Sequence, residues 1–333
     1  MQKLIHPDVA YEKILSSISE EKQIEILDID KALHNVLAED IYSPYDFPHF
    51  NKALMDGYAI NSLENLKKYK IIGTTFAGDF DNLEVQPGEY LKIMTGAVVP
   101  ESCNQVIRKE YTKEENAYME ILQEEIFDNI SPKGSYLSKN TLILEKNDFL
   151  TPQKISILAS FGIAKVKVYK KPKIAFITTG DELINPGEKL SAGKIYNSNK
   201  YQIIAQLENL GFEADYLGTI QDIERNLESV FMENIENYDI FITSGGASMG
   251  DKDFVPSIQR KIGVNFLVEK MLFKPGKPTY FGKMKEKSFF VLPGNPVSCF
   301  TIFEIFIKPY LYKLVNRKFN PLITNAILTK DIY

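Results

Sequence analysis

Glycines, carboxylates and lysines recur at the ends of short apolar runs in the second half of the chain. The fullest case is Thr243-Ser244-Gly245-Gly246-Ala247-Ser248-Met249-Gly250, which follows Asp239-Ile240-Phe241-Ile242. An apolar run of that length reads as a short buried strand. Three glycines and two serines after it would leave backbone N–H groups bare at the carboxyl edge of a sheet. Open parallel sheets bind anionic ligands at that edge. An ordinary tight turn is the competing reading of this stretch taken alone.

Similar loops surround it. Thr178-Thr179-Gly180-Asp181-Glu182 follows the run 174–177, Lys274-Pro275-Gly276-Lys277-Pro278 follows 266–272, and Pro293-Gly294-Asn295-Pro296 follows 288–292. If these runs are strands of one sheet, their loops converge on one rim. Asp181, Glu182, Asp222, Asp251 and Asp253 would then form a carboxylate cluster suited to Mg²⁺, which is commonly held by one or two carboxylates plus substrate phosphates. Lys274 and Lys277 would neutralise a phosphate or an oxyanion. A helix starting after Asn295 would add its dipole and free N–H groups. For any one carboxylate a helix cap or a solvated charge is the better reading; for the whole set that reading needs several coincidences. In the first half, Leu54-Met55-Asp56-Gly57-Tyr58-Ala59 and Met94-Thr95-Gly96-Ala97 each place a polar side chain beside a glycine. That allows close approach of a ligand, but Asp-Gly is also the commonest hairpin signal, and each alone reads as a plain turn.

The elements that must position these residues fall into distinct stretches. Residues 1–45 read as helical and then irregular, with one apolar stripe at Ile14, Leu15 and Ile18 and another over 29–37, until Pro44. From 46 to 138 short β-type runs (69–72, 89–94, 105–108, 117–122) alternate with Gly, Asn and Asp, as in a small β domain. Residues 139–171 return to β, then a helix over 152–161 closed by Gly162, then a strand over 164–168. Together with 1–45 they read as a mixed α/β linker domain.

From Lys173 strands and helices alternate, the pattern of a doubly wound α/β domain over 172–318. Asn197-Ser198 caps a helix carrying Ile203, Ile204, Leu207 and Leu210 on one face, with Gly211 after its end. A strand over 212–217 follows, and Asp222 stands where the next helix, carrying Leu227, Val230, Phe231 and Ile235, needs a cap. Asn295 as cap and Pro296 at the first helical position start a helix running to Leu311.

The bulk numbers fit such a molecule. At 333 residues the chain exceeds one ordinary domain. Its 44% hydrophobic and 25% charged content describes a soluble globular protein. A net charge of −5 argues against nucleic acid as the main partner. No stretch reaches the ~18 apolar residues of a membrane helix, and the N-terminus lacks a signal-peptide block. Cys103 and Cys299 form no CxxC, and His6, His34 and His49 show no metal-ligand spacing. A cytoplasmic compartment is expected.

Taken together, MDGYA (55–59), MTGA (94–97), TTGDEL (178–183), IYNSN (195–199), TSGGASMGDKDF (243–254), KPGKP (274–278) and LPGNPVS (292–298) resemble the molybdopterin molybdenumtransferase family. These are the molybdate-insertion enzymes of molybdenum cofactor synthesis, to which the E domain of gephyrin belongs. The seven motifs stand in the family's order across nearly the whole chain. The resemblance implies a homodimer in which adenylylated molybdopterin binds the α/β domain, a divalent metal, Mg²⁺, engages its diphosphate, molybdate enters, and AMP leaves. It also implies roles. Asp56 and Thr95 match functional positions of the β domain that face the partner subunit's pocket. Glu182, Asp222 and Asp253 match acidic site positions, Glu182 and Asp253 as metal ligands. Lys274 and Lys277 match anion-binding lysines, and Pro293 and Pro296 shape the last loop. Gly180, Asp181, Ser244, Gly245, Gly246, Ser248, Gly250, Gly294 and Asn295 complete the expected substrate-binding set. The molybdopterin adenylyltransferase is a candidate partner.

The chain departs from the family in places. The family's acidic Gly-Glu-Asp stretch is here Gly134-Ser135-Tyr136-Leu137, so an expected carboxylate is missing. Where the family has Asp-Asn-Ser-Ala, this chain has Asn51-Lys52-Ala53-Leu54. It stops at Tyr333, where a small C-terminal β domain is expected to begin, so 319–333 reads as a stub. These departures favour a rival reading, a non-catalytic molybdopterin-binding paralogue or scaffold, which the intact Asp56, Thr95 and Glu182 oppose. A second rival, a molybdopterin adenylyltransferase, would not need the β segment with MDGYA and MTGA.

Overall fold

The computed structural model describes residues 4–79, 84–221, 223–246, 254–327 and 329. The chain divides into two units, one taking the segments up to Glu39 and from Lys146 onward, the other Asp40–Glu145.

In the first unit a six-stranded sheet runs in the order Ala214–Ile220, Ile174–Thr179, Ile240–Ser244, Lys287–Leu292, Tyr280–Met284, Asn265–Glu269. The first four strands are parallel. The last two are antiparallel, an edge the doubly wound expectation did not include. Strand periodicity explains the covering of both faces. Ile174, Phe176, Ile240, Ile242, Phe290 and Leu292 pack on one side with Ile203 and Leu207 of the helix Ser198–Asn209 and with Ala10 and Ile14 of the helix Pro7–Ser16. Ala175, Ile177, Phe241, Phe289 and Val291 pack on the other, against Leu227 and Phe231 of Glu224–Asn234 and Val255 and Ile258 of Phe254–Lys261. The Phe241 and Phe289 rings stack at 5.1 Å with Phe231 edge-on.

The helix expected from Asn295 forms as Pro296–Ile302, a π turn Phe303–Ile307 and Lys308–Leu314. Pro309 has no N–H to give the preceding turn, which accounts for the wider turn before it. The apolar stripe over 29–37 does not make the expected helix. It yields one 3₁₀ turn, Ile29–Lys31, after a strand, Ile24–Asp28, that the periodicity did not reveal. That strand pairs antiparallel with Lys165–Tyr169. The strand expected from Phe212 begins at Ala214. No helix or strand follows Leu314 among the described residues. None of the described helices is long and apolar enough to cross a membrane.

In the second unit the sheet order is Gln105–Arg108, Gly57–Ile60, Glu89–Ile93, Lys68–Thr75, Tyr118–Ile121, Thr112–Glu115. Asp56-Gly57 is therefore not the hairpin turn its sequence suggested. Gly57 opens a strand buried at all four positions, and a Cβ there would lie 2.0 Å from the Ile107 carbonyl oxygen. Met94-Thr95-Gly96-Ala97 is a turn, closed by the Ala97 N–H on the Met94 carbonyl at 3.0 Å. Gly96 has φ +89°, as a type II turn requires. Arg108 pairs with the fully buried Glu125 carboxylate through two hydrogen bonds of 2.7 and 3.0 Å.

Candidate active site

Strand register brings the predicted loops together. Thr178 lies opposite Thr219 on one side and Ser244 on the other, and Ser244 lies opposite Leu292. The loops beginning at Gly180, Gly245 and Pro293 therefore leave one sheet edge side by side. The Gly180 N–H reaches the Ile220 carbonyl at 3.4 Å, and the Gly245 N–H the Leu292 carbonyl at 3.1 Å.

The glycines here are required. Gly245 and Gly246 have φ of +96° and +62°. A Cβ on Gly245 would fall 2.4 Å from the Thr179 carbonyl oxygen, and one on Gly246 2.5 Å from Val255. The Thr179 hydroxyl lies beneath this turn and has no hydrogen-bond partner among the described residues. A Cβ on Gly294 would come 3.7 Å from the Gly245 Cα. Asn295 caps the last helix through its side-chain oxygen, which accepts from the Val297 and Ser298 N–H groups, with Pro296 at its first position.

Two asparagines in the entrance to the helix Ser198–Asn209 link these strand ends. Asn197 is its N-cap, accepting from the Lys200 N–H at 3.1 Å. Its amide also donates to the Thr178 hydroxyl at 2.8 Å and lies 3.1 Å from both the Tyr216 and Thr219 hydroxyls. The Asn199 amide donates to the Ser244 hydroxyl at 2.7 Å and to the Gly294 carbonyl at 2.8 Å. The motif pattern assigns Asn197 only a capping role and Asn199 none. The signal was present: a cap needs one asparagine, and this turn carries two.

Asp181 and Glu182 are exposed, and the Glu182 carboxylate folds over Gly180, where a Cβ would meet its oxygens at 2.6 and 2.7 Å. Lys274 is exposed and Lys277 half-buried; among the described residues neither forms an ion pair. Asp222, Ser248, Gly250, Asp251 and Asp253 lie outside the described residues, so the carboxylate cluster is represented by Asp181 and Glu182 alone. No group of three or more His, Cys, Asp or Glu suited to a metal occurs among the described residues. Burial pushes the Cys299 thiol, below Ser244, up to about 12, so it is no nucleophile.

In the β unit the two motifs meet. The Thr95 hydroxyl and N–H both donate to Asp56 Oδ1, at 2.7 and 2.8 Å. These bonds, the hydroxyl first, hold the Asp56 carboxyl below its ordinary range, and Lys109 adds to the effect. At the missing-carboxylate position, Tyr136 is 58% exposed with its ring 6.0 Å from that of Phe47, and the Ser135 and Ser131 hydroxyls share a hydrogen bond.

Glycine loops at the carboxyl ends of parallel strands are where α/β domains commonly hold phosphate ligands, and comparison with known proteins defines the class of this one. Residues 5–162 match the family model described as the MoeA N-terminal region (domain I and II), and 175–313 that of a probable molybdopterin binding domain. The molybdopterin molybdenumtransferase of Haemophilus influenzae is 37% identical over 316 residues, 93% of this chain and 78% of the relative. That of Bacillus subtilis is 35% identical over 323 residues, 93% and 75%. The crystal structure of the molybdopterin biosynthesis MoeA protein of Pyrococcus horikoshii superposes with a TM-score of 0.79 at 32% identity, covering 95% of this chain and 81% of that one. The chain belongs to the molybdopterin molybdenumtransferase family.

Proposed function

We propose that this chain transfers molybdenum from molybdate to adenylylated molybdopterin, with release of AMP. The observation that carries the reading is that loops matching the family's motifs leave adjacent strands at one sheet edge. The motif residues divide the chemistry among them. The Gly246 backbone would offer an N–H group to a phosphate oxygen, and the helix after Asn295, whose first N–H groups are already taken by Asn295, would contribute its dipole. Lys274 and Lys277 supply cations for the diphosphate and for molybdate, itself an oxyanion. Asp56, kept ionised by Thr95, serves as a carboxylate acceptor. Asp222 belongs to the same catalytic proposal from its motif position.

Glu182 fits Mg²⁺ by chemistry: an exposed hard-oxygen ligand in a loop where a diphosphate would supply the remaining oxygens. With Asp253 it would hold the ion, whose part is to neutralise the diphosphate charge as AMP departs. The protein's own groups do the orienting. We further propose a homodimer, since a two-fold assembly is the common soluble form; monomer alone in sedimentation at micromolar concentration would exclude it.

Incubation of the purified chain with adenylylated molybdopterin, molybdate and Mg²⁺, following AMP, tests the function. Release dependent on both molybdate and metal is expected. Tight binding without release would favour the second reading, a non-catalytic binder, for which Tyr136 in place of a carboxylate is the specific observation.

A further inference from the structure

We infer that Asn199 is a positioning residue for substrate binding, acting through the Ser244 and Gly294 loops; this rests on the function proposed above. Its side-chain nitrogen has two hydrogens, and both are committed, one to the Ser244 hydroxyl and one to the Gly294 carbonyl. The two acceptors belong to loops that leave different, adjacent strands. The Ser244 hydroxyl in turn lies 3.3 Å from the Pro293 carbonyl, so one carboxamide ties both strand ends together. Asn199 is 8% exposed and is carried by a helix that buries Ile203 and Leu207 in the core. Its rotation is thereby fixed by packing rather than by the loops it holds.

A second observation points to a ligand. Among the described residues the Asn199 side-chain oxygen has no hydrogen-bond partner, and neither has the Thr179 hydroxyl at a neighbouring strand end. Buried polar atoms are nearly always satisfied, and exceptions mark places that a ligand or water completes. Ordering a loop on binding costs conformational entropy and so lowers affinity. Asn199 removes that cost in the free protein.

The test uses the full chain, with Asn199→Ala, Ser244→Ala to open the same clamp from its other end, and Asn35→Ala as control. Asn35 is equally buried, but its amide serves the Lys31 and Leu33 carbonyls. Amide hydrogen exchange is measured without ligand, and molybdopterin affinity by equilibrium dialysis. Asn199→Ala should speed exchange at Gly245 and Gly294 and weaken molybdopterin binding by about tenfold, the scale of one hydrogen bond. Ser244→Ala should act in the same direction. Asn35→Ala should lower Tm and change neither. Unaltered exchange and affinity in folded Asn199→Ala, or equal loosening in the control, would overturn the assignment. Should Asn199→Ala fail to fold, Ser244→Ala decides on the same measurements. Wild-type protein that does not bind molybdopterin would count against the functional reading, while exchange would still decide the clamp.

Discussion

Asp56 and Thr95, which stand in separate motifs of the β unit, are joined by two hydrogen bonds on a single carboxylate oxygen. Thr95→Val keeps the side chain's size and removes the stronger donor. The Asp56 pKa should rise toward the ordinary ~3.9. The sign follows from the depressed folded value: the pair's contribution is present above the unfolded pKa and lost as pH falls through the folded one. The variant's activity should therefore fail at higher pH on the acid side, and the part of the pair's stabilisation that the hydroxyl supplies, present near pH 7 in the wild type, should be lost. NMR titration of the Asp56 carboxyl carbon checks the shift directly.

Gly245→Ala should destabilise the first unit by roughly 2 kcal/mol or more, combining left-handed strain with a collision against Thr179. Gly162→Ala provides the comparison. It has φ +68° but no atom within 4 Å of the new methyl, so about 1 kcal/mol of strain is expected. Equal Tm losses would show that the close approach at Gly245 does not matter.

Glu182→Gln should leave Tm unchanged, because the side chain is exposed. AMP release should become less responsive to Mg²⁺, with half-maximal activity at a higher metal concentration. Lys274→Ala and Lys277→Ala should raise KM for the nucleotide substrate and flatten its dependence on salt. A metal titration curve for Glu182→Gln that superposes on the wild type would remove Glu182 from the metal proposal.

Glu125→Ala removes the buried partner of the Arg108 guanidinium and should destabilise the β unit. Arg108 is the main cause of the lowered Glu125 pKa. The pair's stabilisation is therefore present above the ordinary ~4.3 of a glutamate and lost as pH falls through the folded value. Faster hydrogen exchange in Gln105–Arg108 and Gly57–Ile60, with the sheet around Ile240–Ser244 unaffected, would confirm the location.

Tyr136→Asp, alone or with Ser135→Glu, should raise turnover. Tyr136 is largely exposed, so a carboxylate there stays hydrated and available to a metal or an activated water. A phenol, ordinarily protonated up to about pH 10, does this poorly. No gain in AMP release in either variant would show that the site does without this group.

The motifs were legible because the groups they supply sit in short loops, where glycine, aspartate and lysine stand out against apolar strands. Asn199 was not, because its role depends on the register of strands far apart in sequence. Ile24–Asp28 escaped notice for a related reason: Ile24 and Ile26 are exposed, so no buried stripe marks the strand, and its partner lies beyond the whole β unit. The Asp-Gly signal misled at Asp56 because hairpin preference is local, whereas burial of all four residues of Gly57–Ile60 is set by two flanking strands. Lys274 and Lys277 were recognised by type, but only the fold places their loop after an antiparallel edge strand.

The pairing of Ile24–Asp28 with Lys165–Tyr169 spans the entire inserted β unit. During synthesis the ribosome delivers the early half of that ladder first and its complement only after residues 40–145 have emerged. The inserted unit can thus close its own sheet while most of its host is still unmade. Once folded, it draws the waiting strand toward its late partner, replacing a long loose loop with a compact one and lowering the entropy of closure. A lesion in the β unit would then be felt first as slow maturation of the other unit, before any loss of its finished stability.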